Sequence, residues 1–165
     1  MKQIFIFSGI FISLALSRFI PHPPNFTSLL ALSFYVPVFL GLRYLPALLI
    51  SFVITDFFIG YYTSTHWTWG SVLLIGLMSS IFSKNIKSRF IGIILINFIF
   101  FIITNFGVWT SGMYDYTLEG LLKCYLLAIP FFGNLFFSTI LFSFLIEFIY
   151  FCYFKKFFIK DLKTN

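Results

Sequence analysis

The sequence predicts an all-α integral membrane protein, a single domain (residues 1–165) that folds as a bundle of six transmembrane helices. Three observations lead to this fold class. The chain is 60% hydrophobic and only 10% charged, far from the composition of a soluble domain. Apolar segments close to the length that a bilayer requires recur six times. The basic residues stand at the ends of these segments, as topology signals do.

The first predicted helix covers about residues 4–20. No small-residue cleavage pattern follows its apolar run, so we expect it to be retained rather than removed as a signal peptide. Gly9, Ser13 and Ser17 recur at every fourth position and form one face of small residues. Such a face lets another helix approach closely. That helix belongs either to the same chain or to a partner protein.

The next three predicted helices cover about residues 27–42, 45–61 and 67–82. Three prolines between positions 21 and 24 exclude a helix there and predict a stiff loop. Pro37 is expected to kink the second helix. Asp56 lies inside the third helix, and an aspartate at membrane depth normally faces the bundle interior and has a partner.

The last part of the chain is predicted to form a fifth helix, a short surface helix and a sixth helix, at about residues 90–104, 118–125 and 126–154. Thr117 is a candidate N-cap for the surface helix. The longest polar interruption of the sequence runs from Thr104 to Glu119. Hydrocarbon cannot satisfy the backbone of such a loop, so it must face water or line a cavity.

The basic residues also predict the orientation of the bundle. With the N-terminus inside, nine of the 11 Lys and Arg residues are cytoplasmic, and only Arg18 and Lys123 lie outside. The nine are Lys2, Arg43, Lys84, Lys87, Arg89, Lys155, Lys156, Lys160 and Lys163. We therefore expect a multi-pass protein of the bacterial inner (cytoplasmic) membrane with both termini in the cytoplasm. The net charge of +6 forms no basic block on a soluble face, so lipid rather than nucleic acid is the expected partner.

In this orientation the three outer loops carry most of the polar and aromatic chemistry, whereas the inner connections are short and basic. A mostly apolar cavity with a few polar groups is what a small-molecule site requires. The candidate ligand-binding residues are Arg18, His22, Asn25, Asp56, Tyr61, His66, Asn105, Trp109, Tyr114 and Glu119.

Several of these residues have structural alternatives. Arg18 and Asp56 would satisfy one buried charge by pairing with each other, and Asn105 would cap a helix. His22 and His66 lack a local ligand partner, which argues against a metal site. The sequence has no nucleophile elbow, no His-Glu-x-x-His motif and no pair of intramembrane aspartates. We therefore expect neither an enzyme nor a cofactor.

Four stretches carry a family resemblance: Arg18–Thr27, Thr104–Trp109, Glu119–Tyr125 and Ala128–Phe132. Together they resemble a family of small uncharacterised bacterial membrane proteins (DUF6580-like) over nearly the whole chain. That family in turn resembles the substrate-binding S components of energy-coupling factor (ECF) transporters. The resemblance implies a vitamin or metal bound near the outer face and capped by the three outer loops.

The resemblance also implies partners. In S components the first helix docks the transmembrane T component through small residues, which matches Gly9, Ser13 and Ser17. The N-terminal histidine motif of the nickel and cobalt members is absent, so an organic, vitamin-sized substrate is expected. The chain has no ATPase motif, and uptake would need a T component and ATPase subunits. The alternative function is a structural scaffold resembling the rod-shape-determining membrane protein, without a ligand.

Overall fold

The computed structural model describes residues 2–154, and this part of the chain folds into six α-helices without a β-strand. The helices are α1 (Lys2–Phe19), α2 (Leu29–Leu40), α3 (Leu45–Ile59), α4 (Thr65–Met78), α5 (Ile86–Val108) and α6 (Leu118–Ile149). Short 3-10 turns precede α3 (Leu42–Tyr44) and follow α4 (Ser79–Phe82), and π-helical turns extend α5 (Trp109–Met113) and α6 (Tyr150–Phe154). The basic tail with Lys155, Lys156, Lys160 and Lys163 lies outside the described residues.

Three of the helices are long and apolar enough to cross a membrane, counted with the turns that extend them: Leu42–Ile59, Ile86–Met113 and Leu118–Cys152. Two further helices are apolar but shorter, Gln3–Phe19 and Leu29–Leu40. The described part of the chain therefore has the helices of a membrane protein.

Helix α2 is the central element of the bundle. It contacts each of the other five helices, and Leu30, Ala31 and Phe34 on it are fully buried. A helix that is apolar and buried all round belongs to a core. With 12 residues, α2 is only about 18 Å long. The loop that precedes it reaches α6, where Ser138 Oγ donates to the carbonyl oxygen of Asn25 at 3.5 Å.

Helix α5 begins earlier than the sequence predicted. The prediction started it at about residue 90, whereas the helix starts at Ile86 and reaches Val108. The physical reason is an N-cap: Asn85 Oδ1 accepts a hydrogen bond from Ser88 N at 2.9 Å. The basic segment before residue 90 had the composition of a connecting loop, but it forms the first turn of the helix.

Helix α6 differs more from the prediction. In place of the expected surface helix and sixth transmembrane helix there is one continuous helix of 32 residues, Leu118–Ile149, with Pro130 inside it. A proline removes one backbone hydrogen bond, but membrane helices tolerate that loss when their surroundings satisfy the freed group. Thr117 does cap the start of this helix, because its Oγ1 accepts from Gly120 N at 3.1 Å.

The helix ends meet in two groups. The ends joined by the α1–α2, α3–α4 and α5–α6 connections come together at one end of the bundle, which we call the site end. At the opposite end, Arg89 at the start of α5 pairs with Glu147 near the end of α6, with Nε–Oε1 and Nη2–Oε2 distances of 2.5 and 2.9 Å. The three loops that the sequence predicted to lie together therefore do so.

Candidate functional site

A buried ion pair joins three helices at the site end. Arg18 at the end of α1 donates through Nη2 to Asp56 Oδ1 on α3 at 2.5 Å. The second oxygen of Asp56 accepts from Trp69 Nε1 on α4 at 2.6 Å. The guanidinium also donates to Thr55 Oγ1 at 2.6 Å and lies over the ring of Phe52. The pairing considered as a structural alternative for Arg18 and Asp56 is thus present.

The pair remains accessible from one side. The side chains of Arg18 and Asp56 keep 13% and 8% of their surface exposed, and both line a cavity of about 320 Å³ that we call the polar chamber. Its other polar lining residues are His22, Asn25, Thr27, Tyr62, Thr65 and Thr68. The chamber offers hydroxyl, amide and guanidinium groups around a neutralised charge.

A second cavity, of about 440 Å³, lies between α4, α5, α6 and the α1–α2 loop. We call it the aromatic chamber. The side chains that contribute rings to its walls are Phe100, Phe101, Tyr114, Phe131 and Phe132. Two polar side chains of α5, Thr104 and Asn105, interrupt this apolar lining. The volume lies within the range of small-molecule pockets, roughly 300–1,000 Å³.

The polar groups of the aromatic chamber are held by their own helix. Thr104 Oγ1 donates to the carbonyl oxygen of Phe100, and Asn105 Nδ2 donates to that of Phe101, each at 2.8 Å. Asn105 therefore lies inside α5 and does not act as the predicted alternative, a cap. Both bonds use donors, so the side-chain oxygens of Thr104 and Asn105 remain able to accept. Cys124 on the facing helix α6 is buried in the same wall.

The two chambers adjoin, because both are lined by Asn25, Thr68, Phe100 and Leu135. Asn25 is the one residue other than glycine in the described range with a left-handed backbone, at φ 63°. Asparagine adopts that conformation more easily than most residues. The proline-rich loop is turned at this point, and Asn25 stands where the two chambers meet.

Six of the ten candidate residues line a chamber: Arg18, His22 and Asp56 the polar one, Asn105 and Tyr114 the aromatic one, and Asn25 both. His22 is held to its own loop, with Nδ1 2.7 Å from the carbonyl oxygen of Pro23. The fold thus brings these six side chains into one region, and their role in binding stays a prediction.

The other four candidates, Tyr61, His66, Trp109 and Glu119, do not line either chamber. Trp109 closes the α5–α6 loop, since its Nε1 donates to the carbonyl oxygen of Asp115 at 3.0 Å. Tyr61 is exposed and packs its ring against Trp69, and His66 and Glu119 are also exposed. Their positions follow from local loop packing rather than from a shared cavity.

The sequence did not single out several residues that belong to the site. Trp69 is not among the candidate residues, but its indole Nε1 donates to Asp56 Oδ2. Phe100 and Phe101 precede Thr104 and Asn105 by one helical turn, a spacing that places each pair on one face. That i,i+4 pattern in an apolar helix was the available signal. The partners from α6 could not be found this way, because their position depends on the continuous helix through Pro130.

The small-residue face of α1 is divided. Ser17 Oγ lies 2.7 Å from Ser28 Oγ, so its hydroxyl serves packing within the chain. Gly9 and Ser13 are exposed and line a groove of about 330 Å³ between α1, α2 and α6. The face therefore packs within the chain at Ser17 and is open at Gly9 and Ser13, and the docking of a partner on it stays a prediction.

A metal site needs several ligating side chains, such as His, Cys, Asp or Glu, close together. Within residues 2–154, no three His, Cys, Asp or Glu side chains come together as they would around a metal ion. Of the two candidate histidines, His22 lines the polar chamber and His66 is exposed on the first turn of α4.

A family model for proteins of unknown function, DUF6580, matches residues 1–157. This chain belongs to that family. The DUF6580 match includes every residue that lines the two chambers, and it confirms the uncharacterised family predicted from the sequence motifs. No curated protein and no solved structure matches the chain. The further resemblance of DUF6580 to ECF S components therefore stays a prediction based on sequence motifs.

Proposed function

We propose that the chain is a substrate-binding membrane subunit, similar to an ECF S component, that captures a vitamin-sized organic molecule for uptake. The observation that carries this proposal is the aromatic chamber, which adjoins the polar chamber at one end of the bundle. An apolar pocket with a few fixed acceptors favours an organic molecule that has both a ring system and polar groups.

The proposal includes six membrane passes in the bacterial inner membrane, with the site end outside and both termini in the cytoplasm. The basic residues support this orientation, because nine of the 11 Lys and Arg residues belong to the termini and connections that the sequence assigns to the cytoplasm. Helix α2 is short for a span, but five other helices surround it. Non-helical backbone at membrane depth, such as the connections beside a short helix, is tolerated where protein rather than lipid surrounds it.

Uptake would require partners, since the sequence contains no ATPase motif. In this proposal an energy-coupling T component docks on α1, where Gly9 and Ser13 are exposed, and ATPase subunits join the T component. A Cβ added at Gly9 would meet no atom within 4 Å, so this part of the helix surface is open. Close helix approach across small residues is favourable in a membrane.

The first test is whether the protein carries a ligand. Protein purified in mild detergent is denatured, and the small molecules that it releases are identified by mass spectrometry. We expect one organic compound in near-equal amount to the protein. Asn105→Leu should release much less of it, because the substitution replaces the carboxamide in the chamber wall with an apolar side chain of similar size.

Glu147→Gln is the matched control, since Glu147 belongs to the buried ion pair at the opposite end. This variant should perturb stability but retain the compound. If the wild-type protein releases no compound and binds none from a panel of vitamins, the proposal is wrong, and the scaffold alternative gains support.

A further inference from the structure

The two chambers differ in chemistry, and together they describe the shape of a ligand. The aromatic chamber is walled by rings of α5 and α6, whereas the polar chamber contains the guanidinium of Arg18. Asn25 and Thr68 line both and stand at their junction. A molecule that reaches from one chamber into the other passes from a ring-lined space to a donor-rich one.

The donors of Arg18 are not all used. Its Nη1 donates to Thr55 Oγ1 and, at 3.4 Å, to the carbonyl oxygen of Phe52, and its Nη2 donates to Asp56. A guanidinium has five N–H groups. The Nε–H and one Nη2–H therefore have no acceptor among residues 2–154.

Both oxygens of the carboxylate accept hydrogen bonds from within the protein. Oδ1 of Asp56 accepts a charge-assisted hydrogen bond from Arg18, and Oδ2 accepts a hydrogen bond from the indole of Trp69. Asp56 is also the less exposed of the two side chains, at 8% against 13% for Arg18. The N–H groups of Arg18 without an acceptor are therefore the free donors of the pair, and Arg18 lines the polar chamber.

We infer that the ligand of this site is an elongated organic acid, with a flat ring system in the aromatic chamber and a carboxylate that accepts from Arg18. This inference rests on the proposed function and names its substrate class. The planar fork of a guanidinium matches the geometry of a carboxylate, and ring walls favour a flat apolar body. Asn105 and Thr104 would accept from ring substituents.

The test uses planar aromatic acids of increasing ring number, each paired with its own primary amide, and linear alkanoates as aliphatic controls. Binding to the purified protein is measured by equilibrium dialysis with mass spectrometry. We expect the best aromatic acid to bind about tenfold more tightly than its amide, because hydrogen bonds from a charged donor favour the charged acceptor. Phe101→Leu should weaken binding of the aromatic acids more than that of the alkanoates.

The double variant Arg18→Gln with Asp56→Asn tests the role of the guanidinium. It keeps two groups that can hydrogen-bond to each other, so it avoids leaving an unpaired buried charge. We expect it to bind the acid and the amide equally. The matched control is the corresponding charge-neutralising double variant at the opposite end, Arg89→Gln with Glu147→Gln. It should retain the preference for the acid over the amide.

The outcomes separate this inference from the proposed function. Equal binding of acids and amides by the wild-type protein, or an acid preference that survives in the Arg18 and Asp56 double variant, overturns the inferred class but not ligand capture. If no probe binds, the identity of the compound released from the purified protein tests the inferred ligand class. A planar acid upholds the class, a different compound overturns it, and no compound at all overturns both proposals.

Discussion

At the scale of single residues, Asp56 is the position that most strongly constrains the site end. Its two oxygens accept from Arg18 on α1 and Trp69 on α4, so one carboxylate connects three helices. A charge with this little exposure has lost most of its hydration, and the partner and its hydrogen bonds must replace it. Removal of one partner leaves the other charge buried and unpaired.

We therefore predict that Asp56→Ala lowers the free energy of unfolding by roughly 3–5 kcal/mol. The double variant Arg18→Met with Asp56→Leu should lose less than Asp56→Ala alone, because it leaves no unpaired charge. Chemical denaturation of the detergent-solubilised protein measures both. Equal losses in the single and double variants would show that packing, rather than charge pairing, holds this end.

At the scale of elements, the packing of α4 against α5 depends on one glycine. Gly107 is buried, and a Cβ at this position would collide with the side chain of Trp67. The same tryptophan packs edge-to-face on Phe106 with ring centroids 5.6 Å apart. Gly107 therefore lets a large side chain of α4 lie directly on the backbone of α5. This contact explains why position 107 of this chain is a glycine.

We predict that Gly107→Ala destabilises the protein by about 1–3 kcal/mol, since the added methyl group must displace Trp67 or separate the helices. Gly133→Ala is the control, because an added Cβ there meets no atom within 4 Å. It should stabilise α6 by about 0.5–1 kcal/mol, as alanine does in a helix interior. The unfolding temperatures of the two variants are measured and compared with that of the wild-type protein. If Gly107→Ala unfolds at the same temperature as Gly133→Ala or at a higher one, the described packing of Trp67 on Gly107 is contradicted.

At the scale of the whole molecule, the bundle has two chemically different ends. The site end holds the two chambers and the loops rich in aromatic and polar residues, with few basic residues. The opposite end holds the Arg89–Glu147 pair and the basic connection that begins at Lys84. In bacterial inner membranes the more basic end of a membrane protein generally lies in the cytoplasm, so this difference in basic charge predicts an orientation.

We predict that Thr63→Cys and Lys84→Cys react from opposite sides of the membrane. Both positions are exposed, one in the α3–α4 loop and the other in the α4–α5 connection. The background carries Cys124→Ala and Cys152→Ser, because both native cysteines are free. A membrane-impermeant maleimide should label the Thr63 variant in intact cells, and the Lys84 variant only after permeabilisation. The same accessibility for both would contradict the orientation.

The fold class and much of the site region followed from local patterns in the sequence. Apolar runs predicted the helices, and the alternation of connections placed Arg18, Asn25, Asp56 and Asn105 at one end. The boundaries that were predicted differently depended on single residues. Asn85 extended α5 by capping it, and Pro130 did not end α6. A proline or a basic residue has a local preference, but the packed bundle decides whether that preference prevails.

The sequence by itself determined that the chain is helical and apolar, that its basic residues favour one side, and that its polar loops alternate with basic connections. Those properties are local, because hydrophobicity and charge act at each position along the chain. Only the tertiary structure decided that Trp69 completes the Arg18–Asp56 pair, that Trp109 closes a loop, and that rings from α5 and α6 enclose a chamber. These features depend on which helix faces lie together, and that choice is made by packing between residues far apart in the chain.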